Sequence, residues 1–328
     1  MKTTRLMQGL GAALALSASA VSAAPMVYIP LGSANQVIAV DAATDRITAT
    51  YANVMDAHGL VATPDGEYLV AGSVKETPAK EGSTSGPASQ LHLVHPQHGH
   101  VMQTIAVTGW THHQAITPDG RHVISTHPTR GGITVVDLQS NTVVQTIATG
   151  AAPNYTVITR DGSRAFVSNS GAGSISEIDL KTWTVTRTLE SGPAPEHLVL
   201  SADDATVYAL NPRAGTVTAV SVGTGKAVRT FELGGKLHGL DIGDEGQRLF
   251  VSDLGGNRLI ALDLRDGSRR ELALSPAPYH LNTIRGTGKV YVSSRSEPVI
   301  WVVDQNSLAL LGTIKLPGGT GHQMAIVR

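Results

Sequence analysis

The chain has 328 residues, 41% of them apolar and 16% charged, with 35 Gly, 16 Pro, 3 Phe, 7 Tyr, 3 Trp and no Cys. A formal net charge of −1, without any basic run, excludes the electrostatic footprint of a nucleic-acid binder. The lack of cysteine excludes disulfides, thiolate ligands and thiol nucleophiles, so any metal must be held by His, Asp, Glu or carbonyl oxygen.

The first segment reads as a secretion signal covering residues 1–23: Lys2 and Arg5, an apolar stretch from Leu6 to Leu16, then small residues up to a cut after Ala23. The apolar stretch falls short of the roughly 20 residues a spanning helix needs, so no membrane anchor is expected. The remaining residues, 24–328, are expected to form one domain that is periplasmic or secreted. From Val27 the chain supplies three short alternating runs (VYIPL, QVIAVD, RITATY) but no fourth.

From there the chain repeats. Aligning on one apolar or aromatic residue gives Val70, Ile124, Phe166, Tyr208, Phe250 and Tyr291, at steps of 54, 42, 42, 42 and 41 residues. The one long step contains 75–89, a Gly/Ser/Thr/Pro-rich insertion read as either a lid over a mouth or a disordered decoration. Within each unit four short runs are separated by turns such as TPDG at Thr63 and Thr117 and TRDG at Thr159. Four strands every 42 or so residues predict a propeller blade. His322 to Arg328 supplies one lone strand. The fold class is therefore all-β: a seven-bladed β-propeller of four-stranded blades, its ring closed by N- and C-terminal strands pairing in one blade. An Asp ends the third run at Asp41, Asp137, Asp179, Asp263 and Asp304, where it is expected to fix a turn through backbone amides two residues on.

The repeats FVSNSGAGSISEID at Phe166 and FVSDLGGNRLIALD at Phe250 resemble those of YVTN-type propellers, close in pattern to YncE-like and lactonase-like proteins. The resemblance covers residues 24–328 and implies the propeller; for function it leaves binding proteins, lyases, lactonases and cofactor enzymes open.

Twelve residues before the alignment column stand His58, His112, Asn154, Glu196, His238 and Tyr279, with His322 in the terminal strand. The next column holds Gly59, His113, Tyr155, His197, Gly239, His280 and Gln323. These two columns contain seven of the 13 histidines and lie at the start of each blade's first strand, which lines the channel. They are expected to bring imidazoles from separate blades around one ion, zinc by default and copper next. The expected ligands are His58, His112, His113, His197, His238, His280, His322 and Glu196. Strand alternation predicts that neighbours such as His112 and His113 point in different directions, one as ligand and one as support. The loops between second and third strands, with His127, Arg130, Asn169, Asn211, Arg213, Asp253, Asn257 and Arg295, are expected on the same face. A second cluster, His92, His95, His98 and His100, is expected to be a solvated outer edge, with weak metal capture as the alternative.

Three functions follow from this reading. The first is a monomeric metal carrier serving a transporter or an apoprotein; the second a lyase or lactonase-type enzyme using the same ion; the third a non-catalytic scaffold. The low aromatic content disfavours a large planar cofactor.

Overall fold

Short runs of alternating β-formers, cut by Gly and Asp turns, cannot bury their faces alone and stack instead into neighbouring sheets. A computed structural model describes residues 24–78 and 87–328. It contains seven four-stranded antiparallel sheets, each a blade. Blade one joins Met26–Leu31, Gln36–Asp41 and Arg46–Ala52 to Ala325–Val327 from the other end of the chain. Blades two to seven follow in order over 57–108, 114–148, 153–189, 198–232, 237–273 and 278–315. The closing register pairs Met26 with Val327, Val27 with Ile326 and Tyr28 with Ala325. The seven-bladed ring is thus the predicted one. Among the described residues no helix is long and apolar enough to cross a membrane. Residues 1–23 and 79–86, which carry the predicted secretion signal and most of the inserted loop, lie outside the described residues.

Burial follows strand order. First strands of successive blades contact one another around the channel, second and third strands are buried, and fourth strands face outward. The alignment column is the core between blades: Val70, Ile124, Phe166, Phe250 and Tyr291 are fully buried, and only Tyr208 is half-buried. Phe250→Ala is therefore expected to cost about 3–5 kcal/mol, read as a lowered denaturant midpoint with an unchanged slope.

The recurring aspartates do what turn aspartates do. Asp41, Asp137, Asp179, Asp263 and Asp304 each accept from the backbone N–H two residues on, at 2.8, 2.7, 2.8, 2.9 and 3.0 Å. The insertion lengthens the loop between Leu69–Ser73 and Ala88–His95. Its base is fastened by Thr77 bridging to Ala88, and by Glu76 Oε1 accepting from the Trp110 N–H at 2.8 Å. The outer histidine cluster departs from expectation. His98 and His100 are exposed, but His92 and His95 are buried, because both faces of their third strand are covered, the Val94 face by one core cluster and the Leu91 and Leu93 face by another.

Candidate metal centre

All seven histidines of the two columns meet at one end of the channel. His58 stacks on His112 with ring centroids 4.6 Å apart and lies 4.2 Å from His322. His113 lies 5.2 Å from His197, and His280 lies 4.7 Å from His238 and 5.4 Å from His322. Three groups bring one ring nitrogen from each member within 4.8 Å of the others: His58, His280 and His322; His58, His112 and His113; His113, His197 and His280. His238 and the half-buried Glu196 join none of the three.

The expectation that His112 and His113 would diverge is corrected here, since both belong to one group. The cause is a recurring irregularity at the start of the first strands. In blade four the pairing passes from Pro153–Asn169 to Thr156–Val167, so that Asn154 and Tyr155 together oppose Ser168. Blades six and seven skip in the same way around His238 and Gly239, and around Tyr279 and His280. A bulge of two residues against one breaks the period of two and re-aims a side chain. The opposing hydroxyl then holds the bulged backbone of the next blade: Thr126 Oγ1 donates to the Asn154 carbonyl at 2.8 Å and Ser168 Oγ to the Glu196 carbonyl at 2.5 Å. Ser252 Oγ does the same for the Tyr279 carbonyl. Where the second column is glycine the next blade leaves no room. A Cβ on Gly59 would stand 2.7 Å from the His112 carbonyl oxygen, and one on Gly239 2.6 Å from that of Tyr279.

Burial leaves many imidazole nitrogens without partners. His58 Nε2, His112 Nδ1, His113 Nε2, His197 Nε2 and His322 Nδ1 are buried and unbonded, while His238 Nε2 and His280 Nε2 face each other at 3.3 Å. For His113 the tautomer follows from geometry. Its Nδ1 lies 3.1 Å from the Asn154 carbonyl, so Nδ1–H donates there and the Nε2 lone pair points into the cluster. His127 is a contrast. Its two nitrogens lie 3.2 Å from the Trp110 carbonyl and 2.8 Å from Thr134 Oγ1, which leaves neither free.

The cluster is held neutral. Burial, then repulsion from neighbouring histidines, pushes His58, His113, His238 and His280 well below the usual imidazole value. Burial takes His112 down to about 3 and His197 to about 4. His322 is pushed down to about 4 by burial and then by Arg295. Neutral imidazole is the ligand form. Glu196 moves the other way: burial raises it, and Arg213 opposes the rise.

Two glutamines bridge the channel beside the histidines. Gln323 Nε2 donates to the Gln114 carbonyl at 2.9 Å, and the Gln114 N–H donates to Gln323 Oε1 at 3.2 Å, tying blade one to blade three. Tyr155 packs against His113 and His197 at 4.8 and 4.9 Å. On the other side, where His112, His238 and His322 are partly exposed, stand the loops between second and third strands. There Tyr279 stacks on His238 at 4.0 Å, and the Arg295 guanidinium lies 4.9 Å from the centre of the Tyr279 ring. Sequence reasoning named Tyr279, Tyr155 and Gln323 only as places in a column, without assigning them the wall and floor of the site.

No protein-family model matches the chain, and no curated protein matches it in sequence. Solved structures do match its fold. A candidate 6-phosphogluconolactonase of Bacteroides fragilis superposes with a TM-score of 0.76 at 16% identity, over 94% of this chain and 99% of the other. The periplasmic gluconolactonase of Pseudomonas aeruginosa gives 0.74 at 17%, over 93% and 99%. A chain of Kuenenia stuttgartiensis hydrazine synthase gives 0.74 at 18%, over 87% and 93%. At these identities the likeness is one of fold, the propeller that lactonases and other enzymes share.

Proposed function

We propose that this propeller binds a transition metal ion, zinc first and copper next, among the channel histidines, and serves as a carrier that passes it to a transporter or an apoprotein. The observation that carries this reading is the set of buried, neutral, unbonded imidazole nitrogens converging from different blades. A buried polar atom without a partner costs about 1–3 kcal/mol, and one ion coordinated by three or four of them removes that cost. Rigid strands hold the donors, which suits a preorganised site. The YVTN/YncE-like lineage, a monomeric state and a periplasmic or secreted location belong to the same proposal.

Elemental analysis of untagged protein tests it. About one zinc or copper per chain is the expected result; a chain that stays metal-free after incubation with either ion would overturn the proposal. His127→Ala is the internal control. With both nitrogens already bonded to protein, its loss is expected to lower stability by about 1–3 kcal/mol in thermal melts while leaving metal content unchanged.

A second reading is a metal-dependent lactonase-type enzyme at the same place, favoured by the lactonase names of two structural neighbours. The ion would polarise a lactone carbonyl, and Glu196, with its raised value, would move a proton. Turnover of gluconolactone that a chelator abolishes would favour this reading over the carrier.

A further inference from the structure

We infer that the open end of the channel is an oxyanion site, in which a small carboxylate or phosphate binds the ion on one side and the Arg295 guanidinium on the other. This rests on the metal-binding reading and extends it from the ion to a second ligand. The first observation is the character of the donors. The three close groups contain only imidazoles, which bind a metal as uncharged rings, and the half-buried Glu196 joins none of them. A divalent ion there would remain an uncompensated charge in a buried site, which is costly unless an anion accompanies it. The second observation is access. Gln114 and Gln323 bond to each other across the channel on one side of the histidines, while His112, His238 and His322 are the partly exposed members of the cluster, so an exogenous ligand approaches from their side.

The third observation is what stands on that side. Arg295 is exposed and, among the described residues, forms no ion pair with any carboxylate; its guanidinium is parked 4.9 Å from the centre of the Tyr279 ring. Tyr279 in turn stacks on His238 at 4.0 Å and lies 5.7 Å from His322. Tyr279 therefore stands between the guanidinium and His238, 4.9 Å from the one and 4.0 Å from the other, and anchors a planar fork of donors at the edge of the histidine cluster. A guanidinium fork fits a carboxylate or phosphate with two parallel hydrogen bonds, which lysine does not reproduce.

Cobalt(II) loaded into the intact protein gives a visible spectrum sensitive to ligand changes, and cobalt per chain is measured on the same samples. Titration with sodium acetate, and in parallel with inorganic phosphate, is expected to shift that spectrum saturably, with sodium chloride inert at equal ionic strength; whichever anion acts at lower concentration identifies the source chemistry. Arg295→Ala is expected to bind cobalt as before but to need at least tenfold more anion, and Arg295→Lys to recover only part of that loss. A cobalt-loaded protein whose spectrum answers neither anion overturns the inference and leaves metal binding standing, as does an Arg295→Ala protein that responds like the parent. A protein that takes up no cobalt, zinc or copper overturns the metal reading and this inference with it.

Discussion

Alanine at His58 and His280 together is expected to abolish metal loading, whereas alanine at His112 and His197 together leaves a chain that still loads, more weakly. Both variants remove two imidazoles from the same cluster, so a simple count of histidines predicts equal damage. The geometry predicts otherwise because the three close groups overlap at their corners. His58, His113 and His280 each belong to two groups, while His112, His197 and His322 each belong to one. Removing His58 and His280 breaks all three; removing His112 and His197 leaves His58, His280 and His322 intact. Even the loss of an outer-shell partner weakens metal affinity by about 10- to 100-fold, so loss of every three-donor set should exceed a hundredfold. Competition against a chromophoric chelator measures both variants, with circular dichroism to verify the ring. Equal affinities in the two would show that the ion does not use these groups.

The second large effect is acid sensitivity of the metal-free protein. The channel histidines have folded values below their unfolded value of about 6.5, so below that pH the unfolded chain binds protons that the folded chain refuses. Their contribution is thus fully present above pH 6.5 and is lost as pH falls toward the folded values, which for His197 and His322 are about 4. At pH 5 one such group costs about 2 kcal/mol, and His58, His113, His238 and His280 act in the same direction. The turn carboxylates act in a separate window. Asp161, held down to about 2 by the Thr159 hydroxyl and by bonds from Ser163, loses its contribution only below about pH 4. Thermal melts of chelator-treated protein should therefore fall steeply between pH 7 and 5, and zinc at pH 7 should raise the midpoint. A midpoint flat over that range would mean that the imidazoles are hydrated rather than buried.

Repetition made the fold readable. The 42-residue step, the lone terminal strand and the turn aspartates each have a direct structural counterpart, since a blade is a local pattern that one window of sequence contains. The convergence of the histidines was readable for the same reason: equivalent positions in equivalent blades occupy one rim. The aim of the side chains was not. Alternation is a property of regular strands, and the bulge opposite Ser168, Ser252 and Ser293 suspends it where it matters. A serine or threonine at that place in four of the second strands (Thr126, Ser168, Ser252, Ser293), with Leu210 in the blade between, was the available clue. The outer cluster misled in the other direction. Four histidines close in sequence suggested one solvated edge, yet a strand and a turn divide them between core and water.

The strand that closes the ring also carries a member of the cluster. His322 donates its N–H to the Pro30 carbonyl at 3.2 Å, and Gly321 bridges to Leu31, four residues before Ala325 takes up the pairing with Tyr28. Any fluctuation that peels this segment from blade one must withdraw an imidazole from the channel. Occupancy of the channel and closure of the ring are therefore one equilibrium seen from two ends, and ligand binding acts as a clasp. Amide hydrogen exchange at Ala325, Ile326 and Val327, slowed by added ion while the middle blades are unaffected, would be its signature.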